Sequence, residues 1–140
     1  MYQKILLPID ASASSRVAAA SAQGLACAFN ARLLLVHSFH SNTVPDLAPG
    51  ALDFVERSFY PESEDLMQSY LGPLNQAGLA GEPLLVRGDP ADVVVALAQQ
   101  RQVDLIVMGR HGQRSLKHLF LGSVSRYQAH RKTPSFRSGI

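Results

Sequence analysis

The residues with the clearest chemical potential lie in the last third of the chain. Gly109 and Gly112 bracket an Arg-His pair, nine residues follow, and then comes Gly122-Ser123-Val124-Ser125. Glycines let a backbone take positive φ and approach a bound molecule closely, and the first turn of a helix offers unpaired N–H groups and a partial positive charge. Read as a loop leading into a helix that starts at Gly122, this stretch is a cradle for phosphate, with Ser123 and Ser125 adding hydroxyl donors. Without a ligand, the same residues make a Gly-rich turn capped by Ser123. His111, inside the loop, can donate a hydrogen bond to phosphate, serve as a proton shuttle, or be an exposed loop histidine. Asp10 closes the first apolar run, where a carboxylate can cap the next helix and also face a ligand at the strand's end.

Several other chemistries are excluded at the level of motif. No Gly-Lys pair exists, so there is no Walker A loop, and neither G-x-G-x-x-G nor G-x-S-x-G occurs. His37 and His40 lie three apart, but at the end of a strand that spacing does not put both on one face, and H-E-x-x-H is absent. No metal site is expected. The single cysteine, Cys27, reads as a small core residue of the first helix.

The elements that must position these residues alternate. Lys4–Ile9 and Arg32–Ser38 are short apolar runs that read as strands buried on both faces, and the alanine-rich segment between them reads as a helix. Ser12 or Ser14 is its expected cap, Val17, Ala20, Leu25, Ala28 and Phe29 its apolar stripe, and Asn30 its stop. Residues 40–50 read as an irregular surface loop. Residues 51–78 read as a short helix, a break, and a second helix starting near Pro61, with its last turn distorted by Gly72-Pro73. Glu82–Arg87 is a strand whose Pro83 suits an edge, and Gly88-Asp89-Pro90 leads into a helix with Val93, Val94, Leu97 and Ala98 on its buried face. Asp104–Met108 is a third doubly buried strand. The β-α-β-α-β-α-β alternation predicts an α/β fold with an open parallel sheet covered by helices. In such sheets, ligands bind outside the carboxyl ends of the strands, where Asp10, His37, Ser38 and the Gly109 loop fall.

Composition agrees with a globular chain. The 140 residues are 46% hydrophobic and 17% charged, which fits one domain spanning 1–140. The longest apolar stretches, such as Leu33–Val36, fall far short of the ~18 residues needed to span a bilayer, and no signal-peptide pattern is present, so the expected location is the cytoplasm. Net charge is only +2, but it is unevenly spread: residues 1–109 carry six Lys/Arg against all eleven acids, and residues 110–140 carry seven Lys/Arg and no acid. That field suits a phosphate-bearing partner, or is a solvated basic tail. A nucleic-acid role is not expected, because the basic segment lacks interleaved aromatics beyond Phe120, Tyr127 and Phe136.

The Gly109/Gly112/Gly122-Ser123 spacing, behind an apolar strand and with Pro8-Ile9-Asp10 closing the first strand, resembles the universal stress protein family and its G-2x-G-9x-G-(S/T) motif. The likeness runs from about residue 2 to Tyr127 and includes the Gly88-Asp89-Pro90 turn. It implies an adenine nucleotide alpha hydrolase-like fold of strand order 3-2-1-4-5, a homodimer, and a regulatory role in stress response built on bound ATP, with Mg²⁺, or on ADP or AMP. By the same resemblance, Pro8, Ile9 and Asp10 line the adenosine and Ser38 sits by the base. Met108, Gly109, Arg110, His111 and Gly112 form the loop, and Gly122, Ser123, Val124 and Ser125 hold the phosphates. Two other readings stay open: a slow ATP-hydrolysing or nucleotidyl-transfer enzyme, by fold analogy, and a nucleotide-free dimeric interaction module.

The chain departs from the family pattern after Tyr127. Residues 128–140, QAHRKTPSFRSGI, form an atypical tail that supplies no apolar run for a fifth strand. The expected order is therefore 3-2-1-4, with Asp104–Met108 at an edge that a partner or the C-terminal tail must cover, and with the dimer mode open.

Overall fold

Strands that are apolar at every position need cover on both faces, and the structure supplies it from three helices. The computed structural model describes residues 2–39, 51–109, 125–129 and 135–138. In chain order these form β1 (Lys4–Pro8), α1 (Ala13–Phe29), β2 (Arg32–Phe39), β3 (Asp53–Phe54), a 3₁₀ turn (Arg57–Phe59), α2 (Pro61–Gln76), β4 (Gly81–Arg87), α3 (Pro90–Gln100), β5 (Leu105–Gly109), β6 (Ser125–Ala129) and β7 (Ser135–Ser138). The sheet order is β3-β4-β2-β1-β5-β6-β7; β4 through β6 in that order run parallel, and β3 and β7 are antiparallel to their neighbours.

Residue parity divides the core in two. Ile5, Leu7, Leu33, Leu35, Leu105 and Val107 pack with Ala18, Ala22 and Ala26 of α1 and Met67, Tyr70, Leu71 and Leu74 of α2. Leu6, Leu34, Val36, Ile106 and Met108 pack with Val93, Val94, Leu97 and Ala98 of α3 on the opposite face. This is the period-two alternation of a strand with both faces buried.

Helix ends follow the local sequence. Ser12 caps α1 by accepting the Ser15 N–H, and Asn30 ends it in the left-handed region at φ 53°. Asp89 caps α3 by accepting from the N–H groups of Ala91 and Asp92, with Pro90 in the first turn. Pro83 lies on the outer edge of β4, as expected, since β3 pairs only with Val86 and Arg87.

Four expectations are corrected. The buried face of α1 is Ser15, Ala18, Ala22 and Ala26, and Ala20, Ala28 and Cys27 are exposed. The helix lies on the sheet by its smallest side chains, which turns Cys27 outward. Between residues 51 and 60 there is no short helix but β3 and one 3₁₀ turn, because Asp53 and Phe54 extend the edge of β4. α2 runs through Gly72-Pro73 to Gln76, held by its buried face of Met67, Tyr70, Leu71 and Leu74, while Pro73 is exposed.

The fourth correction concerns the fifth strand. Residues 125–129 pair in parallel with β5, from Leu105 with Ser125 to Gly109 with Ala129, and β7 closes back on them as a hairpin. The order 4-2-1-5-6 of the parallel strands is thus the five-strand order of the resembled family, not the truncated one. An unpaired β5 edge demands backbone partners whatever their side chains, and the tail provides them. Residues 125–129 are accordingly strand and not part of a helix begun at Gly122. The irregular loop expected over residues 40–50 lies outside the described residues, and among the described residues no helix is long and apolar enough to cross a membrane.

Candidate functional site

At the carboxyl end of the sheet, the loop after β1 is fixed atom by atom. Ile9 donates its N–H to the Val36 carbonyl at 2.8 Å, and its own carbonyl lies 3.1 Å from Nδ1 of His37. That carbonyl can only accept, so the His37 proton sits on Nδ1. The next residue, Asp10, gives its N–H to Ser15 Oγ at 3.1 Å, and its carbonyl lies 2.7 Å from the Tyr70 hydroxyl. Asp10 Oδ1 accepts the Ser12 N–H at 2.8 Å, a local turn that sets the start of α1. The cap of α1 is therefore Ser12 and not Asp10, whose carboxylate only shapes the turn before it, and Oδ2 has no partner among the described residues.

Beside this loop lies an open recess of roughly 450 Å³, lined by Asp10, Ala11, His37, Glu62, Ser63 and Leu66. Its size is in the range of small-molecule sites. Ser38, a neighbour along β2, is buried and pairs with Val86 of β4. The end of β4 is closed by the Gly88 N–H on the Phe39 carbonyl at 2.7 Å, with Gly88 at φ 149°. Arg87 there forms an ion pair with Asp53 of β3.

The residues expected to act together are therefore only partly assembled. Pro8, Ile9, Asp10, Ser38, Met108 and Gly109 share the carboxyl end of adjacent parallel strands. Met108 sends its side chain into the α3 core, so its backbone alone faces that end. Ser125 is placed elsewhere: its register partner is Leu105, four residues before Gly109. At ~3.3 Å per residue this is about 13 Å away, at the opposite end of the strand. Arg110, His111, Gly112, Gly122, Ser123 and Val124 lie outside the described residues. Glu62, Ser63, Leu66, Ser15 and Tyr70 are the residues that sequence reasoning did not single out, and α2 brings most of them; nothing in the sequence ties residue 70 to residue 10. Among the described residues, no three His, Cys, Asp or Glu side chains cluster as metal ligands do.

The doubly wound parallel sheet places the chain among the open-sheet α/β proteins, and the recess lies at the carboxyl ends of its central strands. The family model of the universal stress protein family matches residues 1–133, and the chain belongs to that family. It is 35% identical over 131 residues to a universal stress protein of Thermus aquaticus, covering 89% of each chain. The solved structure of MJ0577, a universal stress protein of Methanocaldococcus jannaschii, superposes with a TM-score of 0.69 over 95% of this chain and 99% of its own, at 23% identity. A universal stress protein solved in complex with cAMP superposes with a TM-score of 0.62 at 27% identity, covering 88% of this chain and 86% of the other.

Proposed function

We propose that this protein binds an adenine nucleotide, ATP with Mg²⁺ in the first instance, at the carboxyl end of β1, β2 and β5, and that it serves as a regulatory stress-response protein through the bound nucleotide. The carrying observation is the Ile9–Asp10 loop, whose backbone polar groups are all satisfied internally, and in which Asp10, with no partner for Oδ2 among the described residues, lines a recess of roughly 450 Å³. A carboxylate there suits the ribose hydroxyls, as acidic residues do in other nucleotide-binding sheets. The acidic lining of Asp10 and Glu62 directs the phosphates away from the recess, toward the loop that begins at Gly109 and the basic stretch beyond it. The intact G-x-x-G, nine residues, G-S pattern and the relative complexed with cAMP support the same assignment. Gly109, Gly112, Gly122 and Ser123 are the phosphate-side residues of this reading; Ser125 is left out because of its place in β6.

The test is calorimetry with ATP, ADP and AMP, with and without Mg²⁺. Binding that is lost in Asp10→Asn and in Gly122→Val supports the assignment at both ends of the nucleotide. A folded protein that gives no heat with any of the three overturns it.

A further inference from the structure

Tyr70 stands in the middle of α2, yet its hydroxyl is the group that closes the loop at the proposed nucleotide site. The phenol oxygen lies 2.7 Å from the Asp10 carbonyl and 2.7 Å from Ser15 Oγ, and Ser15 Oγ lies 3.1 Å from the Asp10 nitrogen. A phenol has one hydrogen, and a carbonyl only accepts. Tyr70 therefore donates to the Asp10 carbonyl, the Ser15 hydroxyl donates to the phenol oxygen, and the Asp10 N–H donates to Ser15 Oγ. The result is a closed ring of three hydrogen bonds that takes both backbone polar groups of Asp10. Tyr70 and Ser15 are each 3% exposed, so the bond between them is shielded from water, and the two to Asp10 are part-buried. From the outside, the Arg16 guanidinium lies 4.1 Å over the Tyr70 ring and fixes its plane.

We infer that Tyr70 and Ser15 are positioning residues for nucleotide binding: together they hold the Asp10 peptide so that its carboxylate is presented to the adenosine side of the recess. This rests on the nucleotide-binding reading above. Neither residue lines the recess. Without the phenol hydroxyl, the part-buried Asp10 carbonyl loses its partner, and the peptide is free to turn toward another.

The experiment compares Tyr70→Phe, Ser15→Ala and the double variant with the wild type, reading nucleotide affinity by calorimetry and stability by thermal melting. Leu74→Ala serves as the control, because Leu74 is buried on the same helix face one turn beyond Tyr70, where its Cδ1 lies 3.7 Å from a β-carbon built on Gly81 at the start of β4. The expected result is a loss of roughly five- to tenfold in affinity for Tyr70→Phe, the size of one buried hydrogen bond. The loss should be the same factor for AMP as for ATP, since the adenosine side is affected. The double variant should lose less than the product of the single losses, because both break one ring. Leu74→Ala should melt earlier and keep its affinity. Tyr70→Phe with wild-type affinity overturns the inference while leaving the nucleotide site standing, and should Tyr70→Phe fail to fold, Ser15→Ala decides by the same criterion. A wild type that binds no nucleotide overturns both.

Discussion

Gly109 ends β5 directly against the first turn of α1: a β-carbon built on it stands 2.6 Å from the carbonyl carbon and oxygen of Ser14 and 2.6 Å from Ser14 Oγ. The obstacle is backbone, which cannot step aside as a side-chain end can. The first glycine of the G-x-x-G pattern is therefore required by packing alone. Gly109→Ala is expected to destabilise the protein by about 1–3 kcal/mol, as overpacking does. Chemical denaturation of the nucleotide-free protein checks it; unchanged stability would show that the strand end and α1 have room to part.

Gly24 is the opposite case. It lies within α1, with no heavy atom within 4 Å of a built β-carbon. Gly24→Ala should stabilise by about 0.5–1 kcal/mol, the helix-interior difference between the two residues. A melting temperature at or below that of the wild type contradicts this.

Asp89 holds the start of α3 through Ala91 N–H at 3.1 Å and Asp92 N–H at 3.3 Å. Asp89→Ala should cost about 1 kcal/mol, and Asp89→Ser should recover most of it, because a hydroxyl can accept the same bonds. Equal stabilities for the Ala and Ser variants would count against a capping role.

Burial raises the Tyr70 phenol above its usual value near 10, and nearby Asp10 adds to this, while the Ser15 hydrogen bond and Arg16 pull the other way. A phenol that holds its proton more tightly in the folded state than in the unfolded one contributes stability that is complete below pH ~10 and lost as pH rises toward the folded value. Tyr70→Phe should show a shallower fall in melting temperature between neutral pH and pH ~11 than the wild type. Parallel curves would mean that Tyr70 does not titrate with unfolding.

Much of the scaffold was legible because its signals are local. The cap at Ser12, the stop at Asn30, the helix start at Pro90 and the apolar runs of β1, β2 and β5 depend on neighbours a few residues away. The face of α1 was only partly legible: Val17 and Leu25 do pack against the core at its margin, but close approach to the sheet puts Ala18, Ala22 and Ala26 at its centre. The strand at 125–129 was missed for a different reason: its cause is the vacant edge of β5, not its own composition. At the candidate site, the strand-end positions of Asp10 and Ser38 were legible from topology. Tyr70 was not, because a contact across 60 residues leaves no mark on spacing.

The placement of β1 between β2 and β5 also sets an order of events during synthesis. Leu6 meets Leu34 soon after it is made, but its other neighbour, Ile106, comes 100 residues later. At ~5–20 residues per second, one flank of the central strand stays open for roughly 5–20 s. A nascent chain stalled before Leu105 would display that flank, apolar and unpaired, to every other copy nearby, so interrupted translation should yield aggregates, not a smaller folded protein.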